Sequence, residues 1–441
     1  MIRLSFVPDA GIMNVYFSGG DRMPLKPIEV SREWHTGAGD GPQGLFCLGD
    51  AVENLEALLP EYEGKVKLVY MDPPFMTGDR FFMRVRVGED QWKKGRGGMA
   101  LEAFSDKMSR EEYLGLLRQV LTRCHRLLSD TGMVFVHIDY RAHPHVRLLL
   151  DEIFGEENLL NEIIWVYQSG GRSIHHFSRK HDVILFYRKS DRYDFNIEAV
   201  KAPRDKPRTS HMRRHVDPDG RVYRSIRSGG RVYTYYDDDP IAPTDVWQDL
   251  PHLQQKDPER TGFDVQKPLA LLDRIVKCAS RPGDWVLDPF AGSATTLEAA
   301  RRNDRCFIGI DRSPLTLNIA RRRLEGADWR LLSEDGGAGD ARPECEAAVR
   351  PGVGFYHVWL DRFEAEIPGM PEGAGPLDAV DNWSVGYLRP EGYEVMAAFA
   401  RSKRIPELQR ELAVPAYAGE LAMCVSDVMG RSFLYALSLE P

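Results

Sequence analysis

Two short apolar runs, far apart in the chain, each end in an aspartate followed by proline, and this pairing constrains the fold more than any other feature. The first, Val66-Lys67-Leu68-Val69-Tyr70-Met71, runs into Asp72-Pro73-Pro74-Phe75. The second, Trp285-Val286-Leu287, runs into Asp288-Pro289-Phe290-Ala291-Gly292-Ser293-Ala294-Thr295-Thr296. A short apolar run bounded by proline and glycine reads as a buried strand. Leu297-Glu298-Ala299-Ala300-Arg301 then predicts a helix, and Cys306-Phe307-Ile308-Gly309-Ile310 a further strand ending in Asp311. Strand, glycine loop, helix and strand in this order predict a Rossmann-like α/β fold with a mostly parallel, twisted sheet. Ligands in such sheets collect at the carboxyl edge where strand order reverses, so Asp72 and Gly292 are expected at the ends of neighbouring strands.

The residue types at these two ends suggest their chemistry. Gly292 permits a tight turn that exposes backbone N–H groups at a helix start. Asp311, about 20 residues further on, stands where nucleotide-binding folds hold ribose hydroxyls. The loop lacks G-x-G-x-x-G, which argues against a nicotinamide or flavin. The Asp72 loop suits an exocyclic amine, a poor nucleophile because its lone pair is delocalised into a ring. A carboxylate and the Pro73 carbonyl that accept its two N–H groups favour a tetrahedral nitrogen. Pro73 and Pro74 fix φ and hold that carbonyl, and Phe75 can stack on a base for roughly 1–3 kcal/mol. Standing alone, the tetrapeptide is equally an ordinary strand end with a Pro-Pro turn.

Joined by Gly49-Asp50 and Gln266-Lys267-Pro268, these pieces resemble the β class of S-adenosyl-L-methionine-dependent DNA amino-methyltransferases, in which the catalytic motif precedes the cofactor motif. The stretch Asp72 to Gly78 is also similar to the modification subunits of type III restriction systems. The resemblance spans roughly residues 45–325. It implies catalysis by Asp72, Pro73, Pro74 and Phe75 on a base flipped out of double-stranded DNA. It also implies cofactor contacts from Asp50, Gln266, Lys267, Pro268, Asp288, Pro289, Phe290, Gly292, Ser293 and Asp311. Asp50 would meet the adenine, although its position equally fits a helix N-cap. The Gln266-Lys267-Pro268 element would lie against the methionine end. An aspartate at the first position leans toward N6 of adenine; N4 of cytosine, or an inactive methyltransferase fold that only binds DNA, are the alternatives. Two departures stand out: Ala294 replaces a frequent glycine, tolerable if its φ is negative, and Val265 replaces a frequent threonine.

The remaining sequence predicts an organisation around this core. Expected units are an N-terminal extension (1–44), a catalytic half (45–195), an inserted target-recognition region (196–262), a cofactor half (263–333) and a small α+β C-terminal appendage (334–441). The polar, glycine-rich stretch 76–108 reads as a lid or a DNA-contacting loop. The net charge of −8 means that any DNA-binding surface must be local. Arg172, Arg179 and Lys180 sit in a Gly- and His-rich loop suited to phosphate contacts. Arg213, Arg214, Arg224 and Arg227 lie in an insert with interleaved tyrosines, which reads as a DNA surface or as a solvated charged face. The six cysteines show no C-x-x-C spacing, so no metal site is expected. With neither an 18-residue apolar run nor a signal-like start, a cytoplasmic chain without membrane contact is expected. From Glu334 to Glu440 there are 18 acidic against nine basic residues. That balance argues against DNA contact there and for a protein partner, either a second copy or a restriction-system subunit.

Overall fold

The computed structural model describes residues 43–94, 98–167, 173–203, 212–333 and 343–438, with short strands before residue 43. Arg172 and the glycine run at 336–339 lie outside the described residues. Six strands form a parallel core in the order Leu128–Ile138, Val66–Met71, Trp285–Asp288, Cys306–Asp311, Gln43–Leu48 and Asp328–Ser333. Val66–Met71 is buried at all positions and Trp285–Asp288 at three of four, as strands covered by helices on both faces must be. Chain direction across the sheet reverses between these two, and that is the switch point where Asp72 and Gly292 come together.

Helices close both faces. Ala51–Tyr62, Arg110–Leu127 and His143–Phe154 bury Leu55, Leu117, Leu121 and Leu150 on one side. Leu269–Ala279, Thr295–Arg302 and Pro314–Arg323 bury Leu272, Ile275, Leu297 and Leu317 on the other. Their starts follow local chemistry. Ser109 accepts the Glu112 N–H while Glu112 accepts the Ser109 N–H, forming a reciprocal cap. Asp50 accepts the N–H groups of Val52 and Glu53.

The structure differs from the sequence expectation in two regions. Residues 76–108 hold a hairpin, Arg80–Val85 against Met99–Ser105, with a short helix Gly88–Lys94 between. Met83 and Val85, either side of Arg84, share one face that packs with Phe263, Ile367, Ala379 and Val428, while Phe81 stacks on Phe104 of the partner strand. The C-terminal region is not α+β, because residues 344–436 contain strands and no helix among the described residues. Its centre is a hairpin, Val380–Arg389 with Gly392–Ala400. Trp383, Val385 and Tyr387 recur at every second position there and drive the chain into a strand.

This region extends the parallel sheet. Arg32–His35 pairs antiparallel with Asp328–Ser333 and parallel with Gly392–Ala400, so one sheet of 15 strands runs through both parts. A buried guanidinium fixes the joint. Arg321, on the Pro314–Arg323 helix, donates to Glu33 at 2.7 Å and also reaches Ser426, Ser432 and Asn382. Removing one partner of a buried ion pair strands the other charge, at about 3–5 kcal/mol. Arg321→Ala should therefore lower chemical-denaturation stability by about that amount. A loss near zero would show that the joint is held by the sheet alone.

Candidate active site

Three carboxylates end three adjacent strands of the core: Asp72, Asp288 and Asp311. They line one cavity together with Asp50, Tyr70, Pro74, Phe104, Phe263, Lys267 and the Pro289–Ser293 loop. The loop is tight. Gly292 adopts φ +47 and donates its N–H to Asp311 at 2.8 Å. A Cβ on Gly292 would also lie 3.3 Å from the Phe263 ring, so glycine is favoured both by φ and by that close approach. Ala294 adopts φ +55, so the negative φ that would have made its replacement of glycine innocuous is absent. An alanine held in the left-handed region costs about 1–2 kcal/mol.

The three carboxylates are satisfied differently. Asp311 accepts N–H bonds from Gly292 and Ser313, and burial nonetheless raises its pKa. Asp288 accepts from Phe290 N–H at 3.0 Å and from the Thr296 hydroxyl at 2.5 Å. Burial, followed by the charges of Asp72 and Asp311, pushes it up to about 7 despite those bonds. Asp72 pairs through Oδ2 with the Lys267 ammonium. Its Oδ1 is buried and has no hydrogen-bond partner. A buried acceptor left open inside a cavity is costly unless something occupies it.

Behind Asp72 runs a polar chain. Tyr70 OH lies 3.0 Å from His137 Nδ1, His137 Nε2 3.2 Å from Asp182, and Tyr167 OH donates to the second Asp182 oxygen at 3.1 Å. Burial raises Asp182, but His137, Lys267 and Tyr167 together leave it below the usual carboxylate range. An ionised Asp182 can only accept from His137 Nε2, and the Tyr70 hydroxyl, whose proton burial retains, shares a hydrogen bond with Nδ1. Phe75 stacks on His137 at 6.1 Å, with the Lys267 ammonium 5.2 Å from its ring centroid. Asp106, fully buried, accepts from Thr77 N–H and Oγ1 and from Asp79 N–H, tying down the loop after Phe75. Met76, at φ +52, makes the turn into it. Nothing in the local sequence marked Asp106, which acts from 29 residues away.

Not every expected residue faces the cavity. Pro73 is buried and Phe75 half-buried beside it, and neither lines it. Gln266 turns its amide to Thr261 and Glu259, leaving Val265 and Lys267 on the cavity wall. Pro268 precedes the Leu269–Ala279 helix at its N-cap position and does not line the cavity. Ser293 bonds Thr295 at 2.9 Å. In the basic insert a three-stranded sheet, Arg213–Val216, Val222–Ser228 and Arg231–Tyr236, exposes Arg213, Arg214 and Arg227. Arg224 is instead paired with Asp237 at 2.9 Å. That pairing is structural, since it joins adjacent parts of the hairpin.

A family described as DNA methylase matches residues 66–322, more than half of the chain. The chain belongs to this DNA methylase family. Type II methyltransferase M.EcaI of Enterobacter cloacae is 28% identical over 307 residues, covering 59% of this methylase and 65% of the relative. DNA adenine methyltransferase YhdJ of Escherichia coli (strain K12) is 28% identical over 288 residues, covering 65% of this chain and 84% of the other. Among solved structures, the M1.HpyAVI–SAM complex is 19% identical and covers 64% of this chain and 99% of that one, with a TM-score of 0.40. This methylase thus spans just under two thirds of the length of M.EcaI.

The Asp288 environment has a consequence for stability. Its folded pKa, about 7, lies above the unfolded value of 3.8, so the folded state binds more protons between the two. Its contribution is therefore fully present below pH 3.8 and is lost as pH rises through 7. Asp288→Asn should flatten the decline in stability between those limits by a few kcal/mol at most. Equal pH slopes for variant and parent in urea titrations would contradict the assignment.

Proposed function

We propose that this methylase transfers a methyl group from S-adenosyl-L-methionine to N6 of adenine in double-stranded DNA, acting on a base turned out of the helix. The observation that carries the reading is the buried, unpartnered Oδ1 of Asp72 in the cavity that also contains the Gly292 loop. The cavity's donor set suits the cofactor: Asp50 and Asp311 for hydroxyl and amino groups, Phe290 and Phe263 as apolar walls, and carboxylates for a cation. The bound cofactor supplies an electrophilic methyl group with a neutral leaving sulfur.

The chain's own residues prepare the acceptor nitrogen. Lys267 holds Oδ2, fixing the carboxylate plane and leaving Oδ1 for one amino hydrogen. The Pro73 carbonyl is the second acceptor in this reading, and the two together localise the lone pair on nitrogen. Phe75, braced by His137, offers its ring to the base. The target cannot reach Asp72 within a stacked duplex, and unstacking it costs a few kcal/mol. The exposed arginines of the insert, Arg213, Arg214 and Arg227, together with Arg179 and Lys180, contact phosphates in this account. The adenine assignment is supported by the aspartate at the first motif position and by the name of the Escherichia coli relative.

Two variants separate chemistry from binding. Asp72→Ala should slow single-turnover methylation by roughly 10²–10⁴-fold while leaving cofactor and DNA affinities near those of the parent. Asp311→Ala removes the acceptor and loosens Gly292, and should weaken cofactor binding by about ten- to a hundredfold, as expected for losing a charge-assisted bond. Near-normal methylation by Asp72→Ala would rule out the mechanism. Unchanged cofactor affinity in Asp311→Ala would place that site elsewhere.

A further inference from the structure

The connection between strands Leu159–Val166 and His181–Arg188 leaves the sheet at the same edge as Asp72. Leu159–Val166 is antiparallel to His181–Arg188, which is antiparallel to Leu128–Ile138, so its far end points the way that the core strands point. Tyr167 and Asp182, at the two ends of this connection, are bonded to each other and through His137 lie behind Phe75. The connection is therefore anchored to the candidate catalytic loop.

Its tip is unusual. Ile174 and Phe177 are 89% and 99% exposed, the two most exposed large apolar side chains among the described residues. The tip is nevertheless ordered by its own bonds. Ser173 Oγ accepts the N–H groups of His175 and His176, and Ser173 N–H donates to Ser178 Oγ. Cations follow it: the Arg179 guanidinium lies 4.1 Å from the Tyr140 ring centroid, Arg141 approaches the same ring, and Lys180 comes next in the chain. In a chain of net charge −8, an apolar point next to cations, on a connection anchored through Asp182 and His137 to Phe75, matches a polyanion with a hydrophobic interior. Apolar side chains inserted between base steps hold duplexes unstacked in other proteins.

Resting on the functional reading above, we propose that Phe177 enters the duplex stack as the target base leaves it, with Ile174 beside it and Arg179 and Lys180 on the flanking phosphates. In this role Phe177 is a positioning residue that touches DNA but not the reacting atoms. Its contribution is to the extruded state, so it matters only while the target is paired and stacked.

The test uses the full chain with two duplexes carrying the methylated sequence, one intact and one with an abasic site opposite the target. Phe177→Ala should methylate the intact duplex at least about tenfold more slowly than the parent in single turnover, because extrusion is no longer supported. On the abasic duplex it should match the parent within about threefold, since little pairing remains to be broken. Phe177→Trp should keep the parent rate on both, and cofactor affinity should be unchanged in all. A full rate for Phe177→Ala on the intact duplex, or an equal loss on both duplexes, overturns the proposal. So does a parent dimer that Phe177→Ala dissociates in sedimentation, because the tip would then meet a second copy. A parent chain that methylates neither duplex contradicts the functional reading itself, and is told apart from these outcomes by the parent control.

Discussion

Asp72, Asp288 and Asp311 crowd the carboxyl edge of three neighbouring strands, and the site is organised around the cost of holding three carboxylates close together with little water. Two are answered by the protein's own N–H and O–H groups: Asp311 by Gly292 and Ser313, Asp288 by Phe290 and Thr296. Those bonds dictate the shape of the glycine loop, because Gly292 must turn its N–H back toward Asp311. Asp72 is answered by one cation, Lys267, and only on one oxygen. In the proposed reaction the open oxygen accepts a hydrogen of the incoming amine. Charge repulsion among the three, burial and the missing acceptor partner thus share one origin in the sheet topology.

The C-terminal strands belong to the same mechanical unit. Ile367, Ala379 and Val428 pack with Met83, Val85 and Phe263 in one cluster. Phe263 in turn stands against Gly292 and stacks with Phe104 at 6.2 Å, and both rings line the cavity. Arg321 locks the helix after Asp311 to Glu33 and to the C-terminal strands. A region whose acidity suggested only a protein partner therefore also backs the cavity wall.

What the sequence revealed was the set of strand ends. Asp72 and Asp288 were legible because each closes an apolar run and is followed by proline, and Asp311 because it closes the next strand about 20 residues past the glycine loop. Asp50 and Ser109 were legible because capping is local. Partners were not. Lys267 meets Asp72 across 195 residues, and Asp106 meets Thr77 from beyond a hairpin that read as a polar loop. The C-terminal hairpin was not legible as the centre of a sheet because, although Trp383, Val385 and Tyr387 alternate with Asn382, Ser384 and Gly386, its burial comes from neighbours supplied by strands elsewhere in the chain. Likewise Arg224 read as a phosphate contact because Asp237, its partner, lay just past the basic segment.

The central claim is that the open oxygen of Asp72 serves the amino group of adenine. Single-molecule sequencing of genomic DNA from a methylation-free host expressing the full chain tests this whatever sequence the enzyme recognises. The expected result is N6-methyladenine confined to one short sequence context, and none in a host expressing Asp72→Ala. N4-methylcytosine in place of N6-methyladenine, or N6-methyladenine that persists with Asp72→Ala, would contradict it.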